Sequence, residues 1–464
     1  MMSPRTIQTG FIVAALLAVG VAGLLAVARA RGKTTDSFFS GTPVHRWLSI
    51  AGSLYAAVFW AAWIVVIGLG IDGTSWSLLV AGAGIALGLL AATFVAGPPE
   101  HNAEALTIAS ALSSRTGSAT GFAVAGVLLT STLFLWIPLT LMMGSRILSA
   151  ITGWDLMTCG LMIIVVPGLL TVAGGQVAVA STQTVAAVVM LAALVPIALV
   201  GGAADARIVD MQAGVAQINW LVLLVGAGVN TFWFARGDHA TFQQIRGMAG
   251  TPALRKAGLA AGALVVLSAA SFLAGSDLRL VSSDDGLRLT SGLVGAAVLT
   301  LAMASLSGYV MSASTLLSVD FSRLIRRHPE PRALVLSGRL VATATLIAAI
   351  LAMSFVSLMG SSGLMVMLRV LVAVLVPVCA AAVFGMLMDR GRGGRTAVAM
   401  LVGVAVASGA LWAFPWGGSD EENVVLASLS GLVAILAVMI VPVRSARPAT
   451  AASDGARELS GVRK

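Results

Sequence analysis

A chain of 464 residues that is 58% hydrophobic and 10% charged, with a net charge of +9 and a mean hydropathy of +0.98, has too little polar surface to cover a water-soluble globule. Lipid must replace water along most of it, which excludes a soluble enzyme and leaves no length for an independent soluble domain. The two cysteines, Cys159 and Cys379, both lie in apolar runs, so neither a disulfide scaffold nor a Cys/His metal site is expected.

A membrane-spanning helix needs about 20 apolar residues. Thirteen runs meet that need, near 8–28, 47–71, 77–97, 119–143, 156–173, 183–201, 218–235, 257–274, 291–317, 335–357, 364–388, 396–414 and 424–443. The first ends in Ala28-Arg29-Ala30, a faint likeness to a signal-peptidase site, but its length and the basic residues after it favour a retained helix. Thirteen spans put the termini on opposite sides. With the N-terminus outside, one set of loops collects Arg29, Lys33 and Arg46, then Arg236, Arg246 and Lys256, then Arg323, Arg326, Arg327 and Arg332, and finally Arg390, Arg392, Arg395 and the tail. The other set holds only Arg5, Arg146, Arg207, Arg279 and Arg288. This asymmetry predicts an all-α integral membrane protein with 13 transmembrane helices, N-out/C-in, multi-pass in the cell (plasma or inner) membrane. Basic loops facing an anionic leaflet account for the net charge, and no nucleic acid partner is expected. Beyond Val443 only a short Arg/Ser/Ala tail follows, so no signalling domain is expected there. Trp47, Trp76, Trp154, Trp220 and Trp416 lie near span ends, where an interfacial belt is the simple reading.

All 19 acidic residues fall in loops or at helix ends on this map, and His45, His101, His239 and His328 fall in cytoplasmic loops. An intramembrane proton relay is therefore not expected. Neutral oxygens can hold a sodium ion instead, as hydroxyls and as carbonyls freed where a helix unwinds. The ninth span offers such oxygens in Met303-Ala-Ser-Leu-Ser-Gly-Tyr-Val-Met-Ser-Ala-Ser-Thr315. Leu301, Ala304 and Ser305 share one helix face, with Ser312 about two turns on. Close helix packing by small residues would explain the same run.

The stretch from Ala302 to Phe321, which ends in Asp320, resembles the signature helix of the sodium/solute symporter family. Thr35-Asp36-Ser37-Phe38-Phe39 resembles the family's first cytoplasmic loop. Gly174-Gly175-Gln176-Val177-Ala178-Val179 resembles its Gly-Gly turn, and Asp238 to Arg246 its Gln/Arg-rich loop after the seventh span. The resemblance covers nearly the whole chain. It implies two inverted five-helix repeats, spans 2–6 and 7–11, plus three peripheral helices. The divisions are then 1–46 (first helix and loop), 47–201 (first repeat), 202–390 (second repeat), 391–443 (two peripheral helices) and 444–464 (cytoplasmic tail). Substrate and ion would bind midway, against unwound centres of spans 2 and 7. Gly226-Ala-Gly-Val-Asn230 makes a break in span 7 plausible, whereas Ser53 to Trp63 in span 2 contains neither Gly nor Pro.

Carried onto this chain, the family's sodium site uses the carbonyls of Ala56, Phe59 and Leu301 and the hydroxyl of Ser305. Ala304 stands where the family has a further hydroxyl, and Gln183, after Thr182, where it has Asp. Both departures weaken a site for a hard cation, with water or Ser307 as a substitute oxygen. Trp60 and Trp63 would shape a small, apolar substrate pocket, and Asn230 and Tyr309 could orient a polar ligand. Arg369, the one charge well inside a span, needs compensation from an anionic substrate group, a helix carbonyl end, or the interface by snorkelling. The expectation is a secondary active transporter for a small organic solute, with a lean toward an anion such as a monocarboxylate. Sodium is the possible coupling ion, and no other cofactor and no enzymatic activity are expected. Two alternatives stand beside it: a sodium-independent uniporter or exchanger on the same fold, and a non-transporting ligand-sensing membrane protein.

Overall fold

A computed structural model describes residues 4–30, 38–39, 47–68, 76–94, 105–200, 219–245, 251–277, 284–322, 330–356, 361–387, 393–413 and 420–440. Every regular element among them is a helix. The first stretch of chain gives α1 (Pro4–Ala30), α2 (Trp47–Gly68) and α3 (Trp76–Phe94). A short α4 (Ile108–Thr116) follows, opened by a capping box in which Thr107 and Ser110 exchange bonds to each other's backbone N–H. Then α5 (Ser118–Ser131) runs through a π-helical turn, Thr132–Trp136, into α6 (Ile137–Thr152), where Pro138 occupies the first turn and Gly153 closes the end at φ +74°. Asp155 caps α7 (Leu156–Gly174), and Gly175, at φ +57°, turns the chain directly into α8 (Gln176–Val200).

The second half holds α9 (Trp220–Gly237), a short α10 (His239–Ile245), α11 (Pro252–Asp277), α12 (Asp284–Thr315) continued by a π turn to Phe321, α13 (Pro331–Val356), α14 (Ser361–Leu387), α15 (Gly393–Ala413) and α16 (Asp420–Ile440). A helix overlies each of the thirteen apolar runs. Ten are long and apolar enough to cross a bilayer, and Trp47–Ala61 and Val424–Ile440 are shorter apolar helices.

Burial sorts the helices. From Ala296 to Asp320, α12 is enclosed almost continuously, packed by α1, α6, α7, α8 and α13. By contrast α1 and α13 turn Leu17, Leu24, Leu336 and Leu340 outward, as helices facing acyl chains do. Backbones approach closely where α3 crosses α9: a side chain at Gly84 or Gly88 would run into the carbonyls of Leu224 or Gly228.

Three expectations change here. Residues 53–63 lie within one uninterrupted α2, and 226–232 within one uninterrupted α9, so neither predicted unwound centre is present. The glycines of α9 serve packing instead, Gly226 against Val425 and Gly228 against Gly84. The real interruption lies further on, at Asp238, whose extended backbone (φ −74°, ψ 136°) separates α9 from α10. Finally, residues 239–245 are not a cytoplasmic loop. They form α10, every residue of which is buried, against α2 and α12.

Candidate substrate and ion site

The polar seam predicted on α12 exists, and its residues reach different neighbours. Ser305 Oγ donates to the carbonyl of Ala56 on α2 at 3.4 Å. One turn on, Gly308 leaves room for Gln183 of α8, whose Nε2 would lie 3.3 Å from a Cβ at that position. The other end of this amide, Oε1, accepts a short hydrogen bond from Ser53 of α2, and Ser49 and Thr184 pair one turn away at 3.2 Å. Further along, Ser314 Oγ donates to Gly338 O on α13 at 2.7 Å, and Thr315 Oγ1 accepts from Gln243 Nε2 on α10 at 2.7 Å. The seam thus joins α12 to α2, α8, α10 and α13 in turn.

The sodium ligands fit this geometry poorly. Ser305 and Ala56 are neighbours, and Phe59 and Leu301 are buried nearby in sequence. Yet the carbonyls of Ala56, Phe59 and Leu301 belong to unbroken helices, where each already accepts within its own helix. Ala304 supplies no oxygen, and Ser307, the candidate substitute, turns its hydroxyl back onto Ala304 O at 2.7 Å. A hard cation needs about six oxygens converging at short range; here the one hydroxyl of the set is spent on a carbonyl of the same set.

The aromatic residues separate clearly. Trp60 is 1% exposed and faces the bundle interior, its ring near Gly144 of α6, and its Nε1 has no hydrogen-bond partner. Tyr309 is buried and stacks on Trp136, centroids 5.2 Å apart and planes within 11°, with Phe234 of α9 tilted against the same indole at 5.4 Å. The indole of Trp136, also unpartnered at Nε1, therefore joins Trp60 and Tyr309 as a site residue that the sequence reading missed. Its signal was Trp136-Ile-Pro138, a bulky residue just before a proline inside a long apolar run. The proline restarts the helix after a π turn, and such turns often mark functional positions.

One predicted contact is not brought here. Asn230 faces the peripheral helix α16, its Oδ1 accepting from Ser428 Oγ at 3.2 Å, so it orients helix packing and not a central ligand. Arg369 lies half-buried in the third turn of α14. The side chain of Trp63 lies outside the described residues.

Asp238 and His239 were placed in a loop by the sequence; in the structure they are 3% and 1% exposed. Asp238 caps α10, its Oδ2 accepting from Thr241 N at 3.1 Å and Thr241 Oγ1 at 3.3 Å. The pattern Asp-x-x-Thr after Gly237 was a readable helix start. A deeply buried carboxylate and imidazole are thus present where the sequence placed a loop.

A family model, the sodium:solute symporter family, matches residues 43–223. No curated protein matches. Among solved structures, a Na+-coupled sialic acid symporter in a substrate-bound outward-open state superposes with a TM-score of 0.74 at 17% identity, covering 94% of this chain and 98% of that one. Mhp1, a nucleobase-cation-symport-1 family transporter, gives 0.45 at 14% identity over 85% and 91% of the two chains. A manganese transporter from Eremococcus coleocola gives 0.40 at 13% identity over 92% and 95%. The first of these shows a shared fold, and fold alone carries no substrate. The chain is thus a multi-pass membrane protein that matches the sodium:solute symporter family model over residues 43–223 and shares its helical fold with a Na+-coupled symporter.

Proposed function

We propose that the chain is a secondary transporter that moves a small organic solute by alternating access, and not an enzyme. The observation that carries this reading is the pair of buried indole N–H groups, Trp60 and Trp136, that have no acceptor, with Tyr309 stacked on Trp136, in a bundle whose outer helices face lipid. Buried donors without acceptors are costly unless a ligand supplies the acceptors. In this reading α2 to α8 form the first inverted repeat (47–201) and α9 to α14 the second (202–390), with α1, α15 and α16 peripheral. Thirteen spans, N-out and C-in, follow from the loop charges. Trp60, Trp136 and Tyr309 line the solute site, Trp63 and Arg369 remain candidates for it, and two unpaired indole N–H donors favour a solute that brings acceptors, such as a small carboxylate.

Sodium is the coupling ion that the family match and the sialic acid symporter point to, held at Ser305, Ala56, Phe59 and Leu301. A second reading, transport without sodium, is favoured by the unbroken α2, the missing oxygen at Ala304 and the Ser53–Gln183 bond. A thermal-shift screen of small acids, amino acids and sugars in Na+ or K+ names the solute. Uptake of that solute into proteoliposomes with and without an inward Na+ gradient then decides: equal rates remove sodium coupling, and absence of any uptake or counterflow removes carriage itself.

A further inference from the structure

Of the described acidic side chains, two are deeply buried. Asp320 ends the π turn of α12 and accepts from Thr107 at 2.7 Å. Asp238 lies where α10 meets α12: a side chain at Gly308 would come within 4.0 Å of Ala240, two residues beyond Asp238. The chain beside it is wedged tightly, because a side chain at Gly237 would strike the backbone of Cys379 on α14.

Its ionisable surroundings are few. Among described side chains α2 brings only Tyr55, whose hydroxyl is bonded to Ser268 at 2.7 Å. On α12 the facing group is Tyr309, on α14 Cys379, on α9 the buried Arg236, and on α10 the buried His239. The carboxylate is also mechanically placed. Its bonds to Thr241 hold the first turn of α10, and α10 in turn holds the end of the molecule that contains Phe39, where Gln243 Nε2 reaches Thr315 Oγ1 and, at 3.4 Å, the carbonyl of Phe39. A charge change at Asp238 therefore acts on α10, which bonds to α12 at Thr315 and to the carbonyl of Phe39.

We propose that Asp238 is the coupling-ion site of this carrier and that the ion is a proton, taking the role for which the Ser305 oxygens are poorly arranged. The proton passes from external water onto the carboxylate and, after the change of access, from the carboxyl group to cytoplasmic water; no other bond changes. The inference rests on alternating access and on the second, sodium-independent reading proposed above, and two arms of one experiment separate their failures.

The first arm needs no solute. Infrared titration of the purified full-length chain between pH 8 and pH 5 reads buried carboxyl groups directly. The wild type gains one neutral-carboxyl band as pH falls, and D238N, checked as monodisperse, lacks it. A wild-type spectrum without such a band, or the same band in D238N, overturns the proposal, and the wild-type result stands alone if D238N does not fold. The second arm uses the solute found by thermal shift in sodium-free proteoliposomes. With the outside one pH unit more acidic, single-proton coupling gives up to about tenfold accumulation, lost in D238N. Counterflow without pH-driven accumulation sinks the proton and keeps the carrier; no counterflow sinks the carrier while the infrared titration still judges the proton site.

Discussion

The middle of the bundle and the end that holds Phe38 and Phe39 are built from similar residue types and differ in how those residues are tied. At that end Phe38 and Phe39 meet edge to face and pack with Leu106, Val179, Met311 and Val319, drawn from both predicted repeats. Side chains lock this plug: Thr107 to Asp320, Gln243 to Phe39 O, Ser314 to Gly338 O. In the middle, aromatic faces stack, while Trp60 Nε1, Trp136 Nε1, Thr140 Oγ1 and Gln183 Nε2 have no partner. Ser318 Oγ and the Gln244 amide are left over at the Phe38–Phe39 end as well, so what separates the two regions is the set of bonds tying that end across helices and the unpaired indole donors of the middle.

The contrast can be broken most forcefully at the plug. Phe39 is fully buried, so Phe39→Ala should cost about 3 kcal/mol through the cavity it leaves, read as a fall in thermal stability with raised cysteine labelling from the inner side. An unchanged melting point would mean that the plug does not bear on the fold. Gly175→Ala comes next. Its backbone is left-handed and its missing Cβ makes room for Phe38, so about 1–2 kcal/mol should be lost, measured the same way.

Trp136→Phe sharpens the other side of the comparison. A phenyl ring keeps a stack on Tyr309 but removes the second ring together with the N–H, so about 1–2 kcal/mol of stability should be lost through the cavity. Solute affinity should fall by about tenfold, the worth of one hydrogen bond, in a thermal-shift titration; unchanged affinity would take Trp136 out of the site. The smallest effect lies outside both regions, at Asp155 between α6 and α7. Hydrogen bonds from the Thr158 side chain and backbone hold its carboxyl below the ordinary carboxylate range. A depressed folded-state pKa means that its contribution is present above the unfolded value and disappears as pH falls through the folded one. Melting curves of wild type and Asp155→Asn should therefore differ near neutrality and converge in strong acid.

The helices were legible because lipid demands about 20 apolar residues in a row, and every such run became a helix. The Gly-Gly turn and the oxygen seam of α12 were legible too, through spacing that survives without any tertiary knowledge. The interruption in the seventh span was not. Gly226 and Gly228 look like points of unwinding, but a glycine in lipid serves close packing equally well, and only Val425 and Gly84 reveal which. Asp238 and His239 were assigned to a loop because charge usually marks water; their burial depends on α2, α12 and α14 closing around them, which no local pattern carries. Trp136 was hidden for the opposite reason, one more apolar residue in an apolar run until Tyr309 is seen against it.

The crossing of α3 and α9 has a mechanical corollary. Where carbonyl oxygens replace side chains at the contact, there is no compliant layer to shear, so Gly84, Gly88 and Gly228 rivet α3 to α9. In the proposed rocking this pair would move as one body, and the first change of direction along the chain beyond it is at Asp238, where α9 ends.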